Sequence, residues 1–85
     1  MKFSKKEGYY KYYNKEGKWC RIKFDDNLKC KENFRCFVWF WRPKDSTWLV
    51  HSPNKKFKDV FHVINFICKN LETNGVIFKV TIQGA

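Results

Sequence analysis

The stretch Trp48-Leu49-Val50-His51-Ser52-Pro53-Asn54-Lys55-Lys56-Phe57-Lys58 runs straight into Asp59 and the periodic series Val60, Val63, Ile64, Ile67, Cys68 and Leu71. Its first four residues have the composition of a strand, Ser52-Pro53-Asn54 is turn chemistry, and Phe57 predicts a short second strand before a helix. The apolar residues from Val60 to Leu71 recur at the spacing of one helical face, with Asp59 where an N-cap belongs. Asn74-Gly75 ends that pattern, and Val76-Ile77-Phe78-Lys79-Val80-Thr81-Ile82 is predicted as a closing strand rich in β-branched residues.

Toward the N-terminus, Arg35-Cys36-Phe37-Val38-Trp39-Phe40-Trp41-Arg42 is apolar on both faces, which predicts a central strand covered on both sides. Pro43-Lys44-Asp45-Ser46 turns the chain back into Thr47 to Ser52. Residues 25 to 34 are polar and aperiodic, a connecting loop. Before them, Tyr9-Tyr10-Lys11-Tyr12-Tyr13, Asn14-Lys15-Glu16-Gly17-Lys18 and Trp19-Cys20-Arg21-Ile22-Lys23-Phe24 form a hairpin pattern. In the second arm Cys20, Ile22 and Phe24 share one face, and Trp19, Arg21 and Lys23 share the other. The expected fold is α+β: a small antiparallel sheet of four to five strands packed on one α-helix. The aromatic excess on the far face is expected to be covered by the N-terminal hairpin or by a partner, because a bare aromatic patch promotes association.

The chain of 85 residues is long enough for a single small domain, 1–85, with one core. A composition of 44% hydrophobic and 20% aromatic residues argues against disorder. No apolar run reaches the roughly 20 residues of a membrane helix, and the start lacks the apolar stretch of a signal peptide, so the expected location is intracellular, without a membrane partner.

The formal net charge is +10, and residues 1–58 hold sixteen of the basic and six of the acidic groups, which places the whole excess there. Charge so confined predicts a basic face that meets phosphates. Lys55, Lys56 and Lys58 offer ammonium groups in one turn. Trp19, Arg21 and Lys23 interleave an aromatic ring with cations, a pattern suited to phosphate neutralisation and base stacking.

Four cysteines leave room for thiols, disulfides or zinc. Cys68 lies on the helical stripe, Cys20 and Cys36 on inward strand faces, and Cys30 in a loop. Cys20, Cys30, Cys36, His51 and His62 show no Cys-x2-Cys spacing, so no metal is expected and free thiols are favoured. His62 is placed near the core stripe as a structural histidine. No nucleophile motif or Gly-rich phosphate loop is present, so neither an enzyme nor a cofactor is expected.

The segment from Trp39 to Gly84, a little over half the chain, resembles the methyl-CpG-binding domain and its TAM variant. The likeness rests on an aromatic strand ending in Arg42, the strand Trp48-Leu49-Val50-His51, Ser52-Pro53, the basic Lys55-Lys56, Phe57-Lys58, a short helix, and Phe78-Lys79-Val80-Thr81. The family reads guanine edges with two arginines, whose planar forks match O6 and N7. Arg42 matches the first arginine. Lys58 stands at the second, with Thr47 and Leu49 where the family has an acid and a tyrosine, so the resemblance implies phosphate binding more than methyl-CpG selectivity. It implies duplex DNA held by Arg42, Lys44, Lys55, Lys56 and Lys58, in a chromatin or transcriptional setting in the nucleus. Two alternatives remain open: a protein-interaction module gripping its partner through exposed aromatic residues, and a binder of single-stranded or structured RNA.

Overall fold

The described residues fold into six strands and one helix. The computed structural model describes residues 3–6 and 9–83. In chain order they are β1 (Phe3–Lys6), β2 (Tyr9–Tyr13), β3 (Trp19–Phe24), β4 (Cys36–Arg42), β5 (Thr47–His51), α1 (Val60–Asn70) and β6 (Val76–Ile82), with a 3-10 turn at Asp26–Leu28. The strands form one sheet in the order β1-β2-β3-β6-β4-β5.

The α+β class holds, with two refinements. The sheet has six strands, and β3 pairs with β6 in parallel, Ile22 opposite Phe78, while every other pairing is antiparallel. A parallel pair needs a long crossover. The chain supplies it through β4, β5 and α1, so the closing strand enters the middle of the sheet, where its β-branched residues are covered by neighbours.

One face of the sheet carries the core. Cys20, Ile22 and Phe24 of β3, Cys36 and Val38 of β4, and Phe78 and Val80 of β6 are buried in one cluster with Val63, Ile64 and Ile67 of the helix. The helix starts where the Asp59 carboxylate accepts the amide of His62 at 3.1 Å, which satisfies one of the unpaired first-turn donors. His62 itself is exposed rather than part of the stripe. Leu28, in the loop, also reaches the core.

The short strand expected before the helix reduces to a single bridge between Phe34 and Phe57, whose amides exchange hydrogen bonds at 2.7 and 3.0 Å. The Phe57 ring is drawn into the core against Phe66, at a centroid distance of 5.5 Å. The N-terminal hairpin does not fold over the far face of the sheet. Tyr12 of β2 pairs with Cys20 of β3 within the sheet, so the hairpin extends the sheet sideways and leaves that face uncovered by the described residues.

Candidate nucleic-acid interface

Side chains alternate across a strand, so every residue between two core positions points to the uncovered face. On β3 these are Trp19, Arg21 and Lys23; on β2, Tyr9, Lys11 and Tyr13; on β4, Phe37, Trp39 and Trp41; on β6, Ile77, Lys79 and Thr81; on β5, Trp48 and Val50. Register then lines them into rows. Lys11 faces Arg21, which faces Ile77. In the next row Lys23, Lys79, Trp39 and Val50 lie side by side. Trp41 pairs with Trp48, their rings meeting edge to face at 5.4 Å.

The face is basic without compensation. None of the described strands contains an Asp or Glu, and none of Lys11, Arg21, Lys23 or Lys79 lies within ion-pair distance of a carboxylate among the described residues. Their charges rest on rings instead. The Lys11 ammonium is 4.5 Å from the Trp19 ring centroid and 5.4 Å from that of Tyr13. The Arg21 guanidinium lies 5.4 Å from Trp19, Lys23 6.0 Å from Tyr9, and Lys79 5.1 Å from Trp48. At partly exposed sites such contacts are worth only about 0.5–1 kcal/mol each. They park the cations without neutralising them. Arg21 Nε is buried and has no hydrogen-bond partner among the described residues, a donor left unmatched inside the face.

Two devices hold the platform in shape. Gly75 adopts φ +78°, and a Cβ there would stand 3.8 Å from Trp19 Cζ2. Its amide donates to the Trp19 carbonyl at 2.7 Å, tying the turn before β6 to the start of β3. On the other side, Trp39 Nε1 donates to Thr81 Oγ1 at 2.9 Å, which fixes that indole against β6. Trp39, Thr81, Lys79 and Trp48 enclose a depression of about 310 Å³.

The structure distributes the sequence-derived candidates over three places. Trp19, Arg21 and Lys23 lie on the open face. Arg42 and Lys44 lie at the turn between β4 and β5, where Arg42 makes a two-pronged ion pair with Asp45, Nε to Oδ1 at 2.8 Å and Nη2 to Oδ2. That pair holds the Asp45 carboxyl well below its ordinary range, at about 2, and raises Arg42 further. Lys55, Lys56 and Lys58 follow the opposite end of β5, about 16 Å away at the rise of an extended strand. Lys55 lies 5.1 Å from the Phe57 ring and 5.6 Å from Phe66, on the helix side of the sheet. Lys56 lines a cleft with Lys31, Glu32 and Arg35, and the Arg35 guanidinium donates to Asn54 Oδ1 at 3.0 Å. Arg42 and the three loop lysines therefore do not form one cluster.

Sequence reasoning passed over Lys11 and Lys79 as site residues, together with Tyr9, Tyr13, Trp39, Trp41 and Trp48. The two-residue period of the hairpin places Lys11 on the side of Arg21, whereas Lys79 reaches that side only through the pairing of β6 with β3.

The cysteines stay off this face. Cys20 and Cys36 are buried, Cys68 is half-buried and hydrogen-bonded to Cys20, and Cys30 is exposed, all as free thiols. Burial pushes Cys20 up to about 12 and Cys36 to about 11, so both remain protonated at neutral pH. No group of three or more metal-ligating side chains occurs among the described residues. No described helix is long and apolar enough to cross a membrane. Neither a family model, nor a curated protein, nor a solved structure matches the chain.

Proposed function

We propose that this domain binds single-stranded nucleic acid across the open face of its sheet, with Lys11, Arg21, Lys23 and Lys79 holding phosphates and Trp19, Trp39 and Trp48 offering rings to unpaired bases. The observation that supports it is the combination, among the described residues, of an uncovered surface with aromatic rings, cations without carboxylates, and a buried guanidinium donor lacking a partner. Cations alone would suit any polyanion. Rings beside them favour an unpaired strand, since paired bases in a duplex present no π-face to a broad sheet. The face spans β2 to β5, about 19 Å at the usual strand spacing, so its two ends address different nucleotides of one strand.

Duplex DNA held by Lys55, Lys56 and Lys58 is the competing reading, supported by the exposure of those three side chains in one loop. Fluorescence anisotropy of a labelled single strand, DNA or RNA, against the matched duplex separates the two. The single strand is expected to bind more tightly and to quench tryptophan emission. Trp19→Ala is expected to weaken it by tenfold or so, given that stacking contributes about 1–3 kcal/mol per base. Preference for duplex, or unchanged affinity in Trp19→Ala, would overturn the proposal; absence of binding to either at low salt would move the aromatic face to a protein partner.

A further inference from the structure

The depression between Trp39 and Trp48 has a chemistry narrower than the face around it. Its volume of about 310 Å³ suits one planar base, and its walls are two indoles. Three polar groups line it. Trp39 Nε1–H is already spent on Thr81 Oγ1 at 2.9 Å. Thr81, having accepted that bond, keeps its own hydroxyl proton to donate elsewhere. The Lys79 ammonium can only donate, and with no carboxylate in reach among the described residues it leans toward Trp48, at 5.1 Å from the ring centroid. The two lysines paired across β3 and β6 lean toward different rings, Lys23 toward Tyr9 and Lys79 toward Trp48, so Lys79 alone serves this slot.

A slot walled by indoles and equipped with donors is matched by a base whose exposed edge carries acceptors only. Guanine offers O6 and N7 side by side on one edge. Adenine places an amino group beside N7 and beside N1, which would face the ammonium donor to donor, while cytosine, whose N3 and O2 also pair two acceptors, offers the two indoles a single ring where guanine offers two. We infer that the Trp39–Trp48 slot receives one guanine of the bound strand, with Thr81 and one of the three N–H donors of Lys79 reaching O6 and N7 while the rest of that ammonium stays on phosphate. This rests on the open face being the nucleic-acid site and adds the base that one position selects.

The test uses the whole chain and labelled nine-nucleotide strands of adenine with the central base varied. One central guanine is expected to bind at least about fivefold more tightly than the all-adenine strand, the lower end of what a well-matched base contact provides. Replacing that guanine with 7-deazaguanine should lose part of the gain. Lys79→Met and Thr81→Val are close in shape to the native side chains, and circular dichroism melts verify that both fold. Lys79→Met should still bind the all-adenine strand, modestly weakened by the loss of one cation, and should no longer prefer guanine. Thr81→Val should reduce the preference by a smaller factor. Equal affinity for guanine and adenine strands, with steep salt dependence intact, would overturn the slot's selectivity and leave the interface standing. A guanine preference that survives both substitutions would overturn its location. Failure of every strand to bind would overturn the interface and the slot together.

Discussion

Replacing Lys11 and Lys23 together by Gln removes two of the four cations that the described side chains place on the open face while leaving its rings in place. Both lysines are without ion-pair partners among the described residues, and their contacts are to Trp19, Tyr13 and Tyr9, so the exchange disturbs no hydrogen bond of the fold. For single strands the logarithm of affinity falls with the logarithm of salt by about 0.7 per phosphate neutralised, so four cations give a slope of about −2.8 and a loss of about 50-fold between 50 and 200 mM. With two cations left the slope becomes about −1.4 and the same salt step costs about sevenfold. Anisotropy titrations of a fluorescein-labelled single strand at four salt concentrations measure both slopes directly. The triple substitution of Lys55, Lys56 and Lys58 by Ala provides the opposite arm, because those side chains lie in the loop after β5 and off the face. If the triple variant flattens the slope by about three charges and the Lys11/Lys23 variant leaves it intact, the phosphates lie on the loop and the assignment of the face is refuted.

Phe57→Ala should cost about 3–5 kcal/mol in urea unfolding, because the ring is buried between Phe34 and Phe66 and its removal leaves a cavity where the loop is pinned to the core. A small domain has little stability to spare, so this variant is expected to be largely unfolded; a cost under about 1 kcal/mol would contradict the packing. Asp59→Ala should cost about 1 kcal/mol with an unchanged m-value, as the loss of an N-cap to the His62 amide requires. Ellman's reagent should label Cys30 rapidly in the native protein, Cys68 more slowly, and Cys20 and Cys36 only after unfolding. The Asp45 carboxyl, depressed in the folded protein to about 2 by its bond from Arg42, supports the β4–β5 turn at every pH above the ordinary carboxylate range and loses that support as pH falls through about 2. A carbon-detected NMR titration of Asp45 with a midpoint near 3.8 would show the pair to be open in solution.

Local patterns made the elements of this fold readable. The alternation of Cys20, Ile22 and Phe24 with Trp19, Arg21 and Lys23 appears unchanged in the burial of β3, and the series Val60 to Leu71 with Asp59 in front of it became a capped helix. Pairing was harder to read. Nothing in Val76 to Ile82 says that the strand inserts beside β3 in parallel, because β-branched runs suit any interior position and the crossover that places it depends on the helix packing across the sheet. Phe57 illustrates competition between levels: the sequence suggests a short strand there, but the ring is buried against Phe66 and the pairing is a single bridge to Phe34. The site was half legible for the same reason. The parity of β3 exposed Trp19, Arg21 and Lys23, whereas Lys79 joins them only once β6 is known to lie beside β3.

The two-sided apolar character of β4 points both to the fold and to its use. Cys36 and Val38 are buried under the helix, while Phe37, Trp39 and Trp41 are half-buried on a side that no described segment covers. A patch of that kind ordinarily drives association of two copies. Here face-to-face pairing would bring Lys11, Arg21, Lys23 and Lys79 of each copy into one interface with no carboxylate from any described strand, a like-charge arrangement that opposes it. The same cations that repel a second copy attract a polyanion, and the rings they lean on become available as phosphates draw the ammonium groups away. Charge and aromatic surface thus favour the occupant proposed above: an extended anion that also presents flat apolar rings, which is the chemistry of an unpaired nucleic-acid strand.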